Sequence, residues 1–282
     1  MAPVSGTAPR RLTQSPDAEF QPAWSPDGKT VAYVTWDAIS GGAIWKTAGD
    51  GTGAPTRVTS IPGFYRQPVW SPNGSQIFAL RSSVEARRER RLEIQFNPDE
   101  VLVGDEIIRI PASGGDMTTV APARGASHPQ FTTKSDRLFV ATPKGLVSLR
   151  VDGTDLQELV LFKGKDIQGK HESVPVRDAA ISPDGSGVLV LINHQVYLFK
   201  LPQIGGAAVE VDIDKPTILG KRLTVDGADS FSWSPKGDEI LWTIGATLFR
   251  VPLAKVEAAI SSDLIPPPST TCLLYTSDAA DE

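Results

Sequence analysis

The sequence predicts an all-β fold, a β-propeller of about five four-stranded blades. Three observations predict it. A Trp-Ser-Pro-Asp-Gly type of turn recurs along the chain, an aliphatic or aromatic strand follows each copy, and an Arg-Leu/Val-Thr segment precedes several copies at a near-constant distance. Turn formers are abundant, with 25 Gly and 23 Pro spread over 282 residues, which suits many short strands rather than long helices.

The first unit reads Gln21-Pro22-Ala23-Trp24-Ser25-Pro26-Asp27-Gly28, then Thr30-Val31-Ala32-Tyr33-Val34. The second reads Gln67-Pro68-Val69-Trp70-Ser71-Pro72-Asn73-Gly74, then Gln76-Ile77-Phe78-Ala79-Leu80. A degenerate third copy is His128-Pro129-Gln130-Phe131-Thr132, before Arg137-Leu138-Phe139-Val140. The fourth is Ala179-Ala180-Ile181-Ser182-Pro183-Asp184-Gly185, and the fifth Ser230-Phe231-Ser232-Trp233-Ser234-Pro235-Lys236-Gly237. The marker positions 24, 70, 131, 181 and 233 are spaced by 46, 61, 50 and 52, the length of one four-stranded blade with its loops.

Each element has a physical reading. The marker Trp belongs to a first strand and can bury roughly 150–250 Å². Pro presets φ and Gly supplies a positive φ, so the chain turns tightly into a second strand. Third strands are Ala43-Ile44-Trp45-Lys46 and Val196-Tyr197-Leu198-Phe199, closed by hairpins at Gly49-Asp50-Gly51, Gly114-Gly115-Asp116 and Asp152-Gly153-Thr154. Fourth strands are Arg11-Leu12-Thr13, Arg57-Val58-Thr59 and Arg222-Leu223-Thr224. Their middle residues precede the next marker by 12, 12 and 10 positions, the phase that sheets connected in series require. A two-sheet sandwich is the alternative, but it does not need the same turn at the same phase. The ring is either closed with five blades or part of a larger one.

Two stretches depart from the repeat. Ser83 to Gly104 contains Arg87-Arg88-Glu89-Arg90-Arg91 and accounts for the spacing of 61; a short helix or a projecting loop fits, with a solvated charged face or a partner-docking role. Pro202 to Pro216, with Gly205-Gly206, reads as an extended loop in the fourth unit.

The ends are read separately. The last eleven residues, Cys272 to Glu282, are similar to the translation of a transposase adapter used in preparing DNA sequencing libraries. That similarity implies a native frame continuing past Thr271. It also sets aside the lone Cys and three of the acidic residues behind the net charge of −5, namely Asp278, Asp281 and Glu282. The expected organisation is 1–13 as the end strand of a preceding blade or a ring-closing strand, 14–252 as propeller blades, 253–271 as a linker or truncated region, and 272–282 as adapter. Pro266-Pro267-Pro268 suits a linker to a following domain. If the end strands fail to meet, Ile240-Leu241-Trp242-Thr243-Ile244 is a poor sequence to leave on an open edge.

Composition and motifs exclude several functions. With 22% charged residues and a slightly acidic balance, nothing points to nucleic acid, and no apolar run approaches the roughly 18 residues of a membrane helix. The three histidines, His128, His171 and His194, form neither His-x-His nor His-Glu-x-x-His. His128 stands where other units have Gln21 or Gln67, which reads as a strand-entry or rim residue. No Gly-x-Ser-x-Gly elbow exists. Gly49-x-Gly51-x-Gly53 is followed by a strand-like Thr56-Arg57-Val58-Thr59 rather than a helix, so it is a hairpin and not a phosphate loop. Asp50 and the Asp152/Asp155 pair lack full EF-hand spacing. No catalytic, cofactor-binding or metal residue is assigned, and no cofactor is expected.

The repeat, over roughly residues 5 to 252, resembles the TolB-like propeller family. Three segments are more specific: Ala121-Pro122-Ala123-Arg124-Gly125, Gly145 to Asp155, and Ile240-Leu241-Trp242-Thr243-Ile244-Gly245. They resemble the propeller half of certain large, exported, bacterial metal-dependent amidohydrolases. That resemblance implies a non-catalytic propeller that shields, orients or gates a hydrolase domain not encoded here, in a periplasmic or secreted protein. A stand-alone periplasmic module binding protein or peptide, and the gating propeller of a prolyl-oligopeptidase-like serine peptidase, are the alternatives.

Overall fold

The computed structural model describes residues 11–15, 17–92, 105–133, 136–165, 171–202, 207–260 and 268–272. Pro266, Pro267, Gly104, Gly205-Gly206, residues 1–10 and the tail after Cys272 lie outside the described residues. The fold is a five-bladed β-propeller, as the repeat predicts; four of its sheets are four-stranded and the third has six strands. The chain divides into two compact units: Met1–Phe131 with Asp136–Val140 and Leu149–Leu156, and Thr132–Ser135 with Ala141–Ser148 and Gln157–Glu282.

The first unit holds two complete sheets. One is β1 (Ala18–Trp24), β2 (Thr30–Trp36), β3 (Ala43–Ala48) and β4 (Thr56–Arg57), in that order. The other is β5 (Phe64–Trp70), β6 (Gln76–Ser82), β7 (Glu106–Pro111) and β8 (Thr118–Pro122). Strands β2 and β6 are buried on both faces and are accordingly continuous runs of apolar and β-branched residues. Their side chains join one core, with Ala32, Val34 and Ile44 against Tyr65, Ile77, Ala79, Ile108 and Ile110. Between β6 and β7 lies helix α1 (Val84–Leu92), which carries the Arg-rich run. Strand β9 (Ser127–Gln130) also belongs to this unit.

The third sheet continues through β10 (Arg137–Thr142), β11 (Gly145–Arg150) and β12 (Gln157–Lys165). It has two additions that the repeat did not predict. β13 (His171–Ser173) pairs antiparallel with β12. Val209–Asp212, inside the stretch expected to be a loop, is a strand instead. This strand, β17, pairs parallel with β12, Val160 opposite Val209. The alternation Val209-Glu210-Val211-Asp212 buries Val211 completely, and that burial turns the loop into a strand.

The second unit holds the fourth sheet, β14 (Val176–Ile181), β15 (Gly187–Ile192), β16 (Gln195–Lys200) and β18 (Gly220–Arg222). The fifth is β19 (Ser230–Trp233), β20 (Glu239–Ile244), β21 (Thr247–Pro252) and β22 (Ser269–Cys272). Helix α2 (Leu253–Ala258) separates the last two strands and buries Val256. Ile240–Ile244 therefore lies between two partners and is not an edge. Arg11, Leu12 and Thr13 lie outside the strands, and the Thr13 hydroxyl donates to Glu19. A second core unites Leu189, Leu191, Val196 and Leu198 with Phe231, Ile240, Trp242 and Val251.

The repeat residues act as three local devices. The turn Ser is a buried hub: Ser25 Oγ donates to Asp27 (2.6 Å) and accepts the Thr30 amide (2.9 Å). Ser71, Ser182 and Ser234 repeat the amide contact with Gln76, Gly187 and Glu239. The marker Trp tethers sheets: Trp70 Nε1 donates to the Ala23 carbonyl and Trp233 Nε1 to that of Ala180, each at 3.1 Å. In the degenerate unit Phe131 has no indole N–H and packs edge-on against Phe78 instead. The expected fourth strands at 57–59 and 222–224 end at Arg57 and Arg222, and the Thr two residues on completes the third strand instead, with Thr59 Oγ1 accepting from Ile44 N (3.0 Å) and Thr224 Oγ1 from Val196 N (3.1 Å).

Candidate functional site

The first strands of unit one share an uncommon backbone. Gln21, Gln67 and His128 all have φ near +50° and all precede proline. Side chains rarely adopt the left-handed region, and a following proline further favours extended backbone. The register of β1 slips between Phe20 and Ala23, and that of β5 between Arg66 and Val69, so Gln21 and Gln67 sit in β-bulges. A bulge re-aims its side chain, and strained backbone of this kind concentrates at functional sites.

The bulged residues are linked in a row. Gln21 Oε1 accepts the backbone N–H of Gln67 at 2.7 Å, and Gln67 Oε1 accepts that of His128 at 2.8 Å. A backbone N–H can only donate, so both glutamine amides are oriented with oxygen into the row. Their NH2 groups are therefore not used in the row. His128 takes the row position that its sequence phase predicts, and Gln130 Nε2 donates to its carbonyl at 3.1 Å.

A cluster of arginines and aromatic rings begins one residue before Gln67. Arg66 pairs with Asp105 at 2.6 Å, and the Asp105 side chain is 1% exposed. Ser82 Oγ donates to the other Asp105 oxygen at 2.5 Å. The Arg66 and Arg87 guanidiniums lie 5.6 and 4.4 Å from the Phe64 ring centroid, and Trp36 meets that ring edge-on at 5.1 Å. Arg88 donates to the carbonyls of Ala38 and Ile39. So the run expected to be either solvated or a docking face uses its first two arginines to fasten α1 to the first two sheets. Burial raises the Tyr65 phenol above its usual 10.0, and its hydroxyl donates to the Ile61 carbonyl.

The remaining residues considered from sequence are placed apart. His171 opens β13. His194 shares a positive-φ turn with Asn193 and lies with Nδ1 3.4 Å from Arg177. Asp50 accepts the Thr52 amide and hydroxyl, and Asp152 accepts those of Thr154, contacts that hold its carboxyl below the usual 3.8. Asp155 pairs with Arg137 at 2.6 Å. Gly49-x-Gly51-x-Gly53 is a hairpin between β3 and β4, and a Cβ on Gly49 would lie 2.2 Å from the Trp24 ring. Among the described residues no three His, Cys, Asp or Glu side chains gather as a metal site. No described helix is long and apolar enough to cross a membrane.

Sequence reasoning missed the row as a unit. The Gln-Pro, Gln-Pro, His-Pro pattern at one phase was the available signal.

Known proteins share this fold at low sequence identity. TolB from Acinetobacter baumannii superposes with a TM-score of 0.61 at 18% identity, covering 88% of this chain and 55% of that one. A protein assigned as TolB in Agrobacterium tumefaciens gives 0.58 at 14%, covering 94% and 83%. An oligogalacturonate lyase in complex with manganese gives 0.54 at 12%, covering 86% and 64%. The chain thus spans just over half of the Acinetobacter protein. No family model matches the sequence, and no curated protein does.

Proposed function

We propose that this chain is a non-catalytic binding propeller that takes an extended polypeptide, or a segment of a neighbouring domain, along the first-strand row of Gln21, Gln67 and His128. The observation that carries the reading is the repeated strained bulge. Each glutamine oxygen is held by the next backbone amide, and each NH2 group is left to donate. A line of donors on adjacent strands suits the carbonyls of an extended chain. Arg66, next to Gln67 in sequence, and Arg87 both stack on Phe64.

A second reading places the propeller beside an amidohydrolase domain of the same protein, where it shields or gates the active site. Its support is the sequence resemblance of the segments at 121–125, 145–155 and 240–245. Export to the periplasm or outside the cell is part of this proposal and rests on the same resemblance.

The row is tested by selecting displayed peptides on the chain and measuring their affinity for Gln67→Ala. Loss of about tenfold or more supports the site. The setting is tested by sequencing the genomic DNA on both sides of the frame. A downstream His-x-His barrel supports the amidohydrolase setting, a Gly-x-Ser-x-Gly hydrolase domain the peptidase alternative, and the absence of an enzyme domain a stand-alone module.

A further inference from the structure

We infer that the pocket between Arg11–Thr13 and the first sheet binds a primary ammonium group on an alkyl stem, the chemistry of a lysine side chain. The pocket has a volume of about 270 Å³ and is lined by Leu12, Thr13, Glu19, Phe20, Tyr33 and Thr47, among others. That is slightly smaller than the roughly 300 Å³ at which sites for drug-sized ligands begin, and it suits a single side chain.

Two buried oxygens in its wall, Glu19 Oε1 and Thr47 Oγ1, have no partner within hydrogen-bond geometry. Glu19 uses one carboxylate oxygen for the Thr13 hydroxyl, while Oε1 is buried without a hydrogen bond. Thr47 is 4% exposed, and its Oγ1 is also buried without one. Buried polar atoms are ordinarily satisfied, and each exception asks for an explanation. A ligand with several N–H donors and one positive charge satisfies both at once. The Tyr33 hydroxyl lies beside Glu19. Burial, then the charge of Glu19, then a hydrogen-bonding interaction with that carboxylate push it up to about 12, so it stays protonated and neutral.

The rest of the wall is apolar. Leu12, Phe20, Pro22 and Val31 line it, a match for a methylene stem. Arg11 also lines the pocket but is itself exposed, so its charge is screened by water. A carboxylate ligand would face the Glu19 carboxylate, with only the neutral hydroxyls of Tyr33 and Thr47 to offset the repulsion, whereas a cation has Glu19. The site contains none of Gln21, Gln67 and His128, although its lining residues Phe20 and Pro22 flank Gln21 in the β1 bulge.

The test uses the full chain, 15N-labelled and titrated with Nα-acetyl-lysine methylamide or its norleucine counterpart, which lacks the ammonium. The lysine derivative is expected to shift the amides of Phe20, Tyr33 and Thr47 saturably. The norleucine compound, and the lysine compound on Glu19→Gln, are expected to bind about tenfold more weakly or worse. If Glu19→Gln fails to fold, Thr47→Val is the second variant and is expected to weaken lysine binding several-fold. No saturable shift, equal binding of norleucine, or undiminished binding by a folded variant overturns the site. Peptide binding along the row is read separately, by its response to Gln67→Ala, a residue outside this pocket.

Discussion

The indole N–H of Trp70 donates to the carbonyl of Ala23 across 3.1 Å, so the marker residue of one blade is tied to the first strand of the blade before it. Trp233 repeats this with Ala180. The repeat thus encodes both the sheets and their spacing.

Trp70→Phe keeps much of the ring burial and loses the hydrogen bond. It should lower stability by about 1 kcal/mol, and Trp70→Ala by about 3–5 kcal/mol. Trp24 is 46% exposed, against 7% for Trp70, so Trp24→Phe should change stability by only about 0.5 kcal/mol. Urea denaturation of the three variants checks the order.

Ser71→Ala should cost about 1–3 kcal/mol, because the Gln76 amide loses its acceptor inside a buried turn. Thr224→Val should cost a similar amount through the amide of Val196. Both effects are read as shifts in denaturation midpoint at unchanged slope.

Gly153 and Gly53 both have positive φ, at 88° and 76°. A Cβ on Gly153 would lie 1.9 Å from the Val120 carbonyl oxygen, whereas Gly53 faces open space. Gly53→Ala should cost about 1–2 kcal/mol, for the left-handed backbone alone. Gly153→Ala should cost clearly more, and thermal unfolding of the pair distinguishes strain from collision.

Asp27 and Asp238 are held below the usual carboxylate value of 3.8, chiefly by the hydroxyls of Ser25 and Ser234. A carboxyl depressed in the folded state contributes stability that is fully present above its unfolded value. The contribution is lost as pH falls through the lowered folded value. Stability should therefore decline below about pH 4. Asp27→Asn should flatten that acid limb and leave the neutral-pH slope unchanged, as acid titration of the unfolding free energy will show.

Most of the fold was legible because each blade carries its own turn. Trp24, Trp70, Ile181 and Trp233 each end or nearly end a first strand, as their phase requires. The strand at Val209–Asp212 was not legible, since Gly and Pro around it read as loop and its partner β12 is distant in sequence. The candidate site was half visible. His128 matched Gln21 and Gln67 in phase, but residues before proline favour extended backbone, so nothing local announces their left-handed φ. The pocket at Glu19 depends on Thr13 and Thr47 being brought together, which no repeat position encodes.

The most direct test of the account is the affinity of selected extended peptides for the unaltered chain and for Gln67→Ala, compared at equal foldedness by unfolding midpoint and spectrum. The account predicts saturable binding that falls by about tenfold or more when Gln67 is truncated, with His128 and Gln21 amide signals shifting on binding. Peptides that bind both proteins equally, or no selected peptide at all, would contradict it.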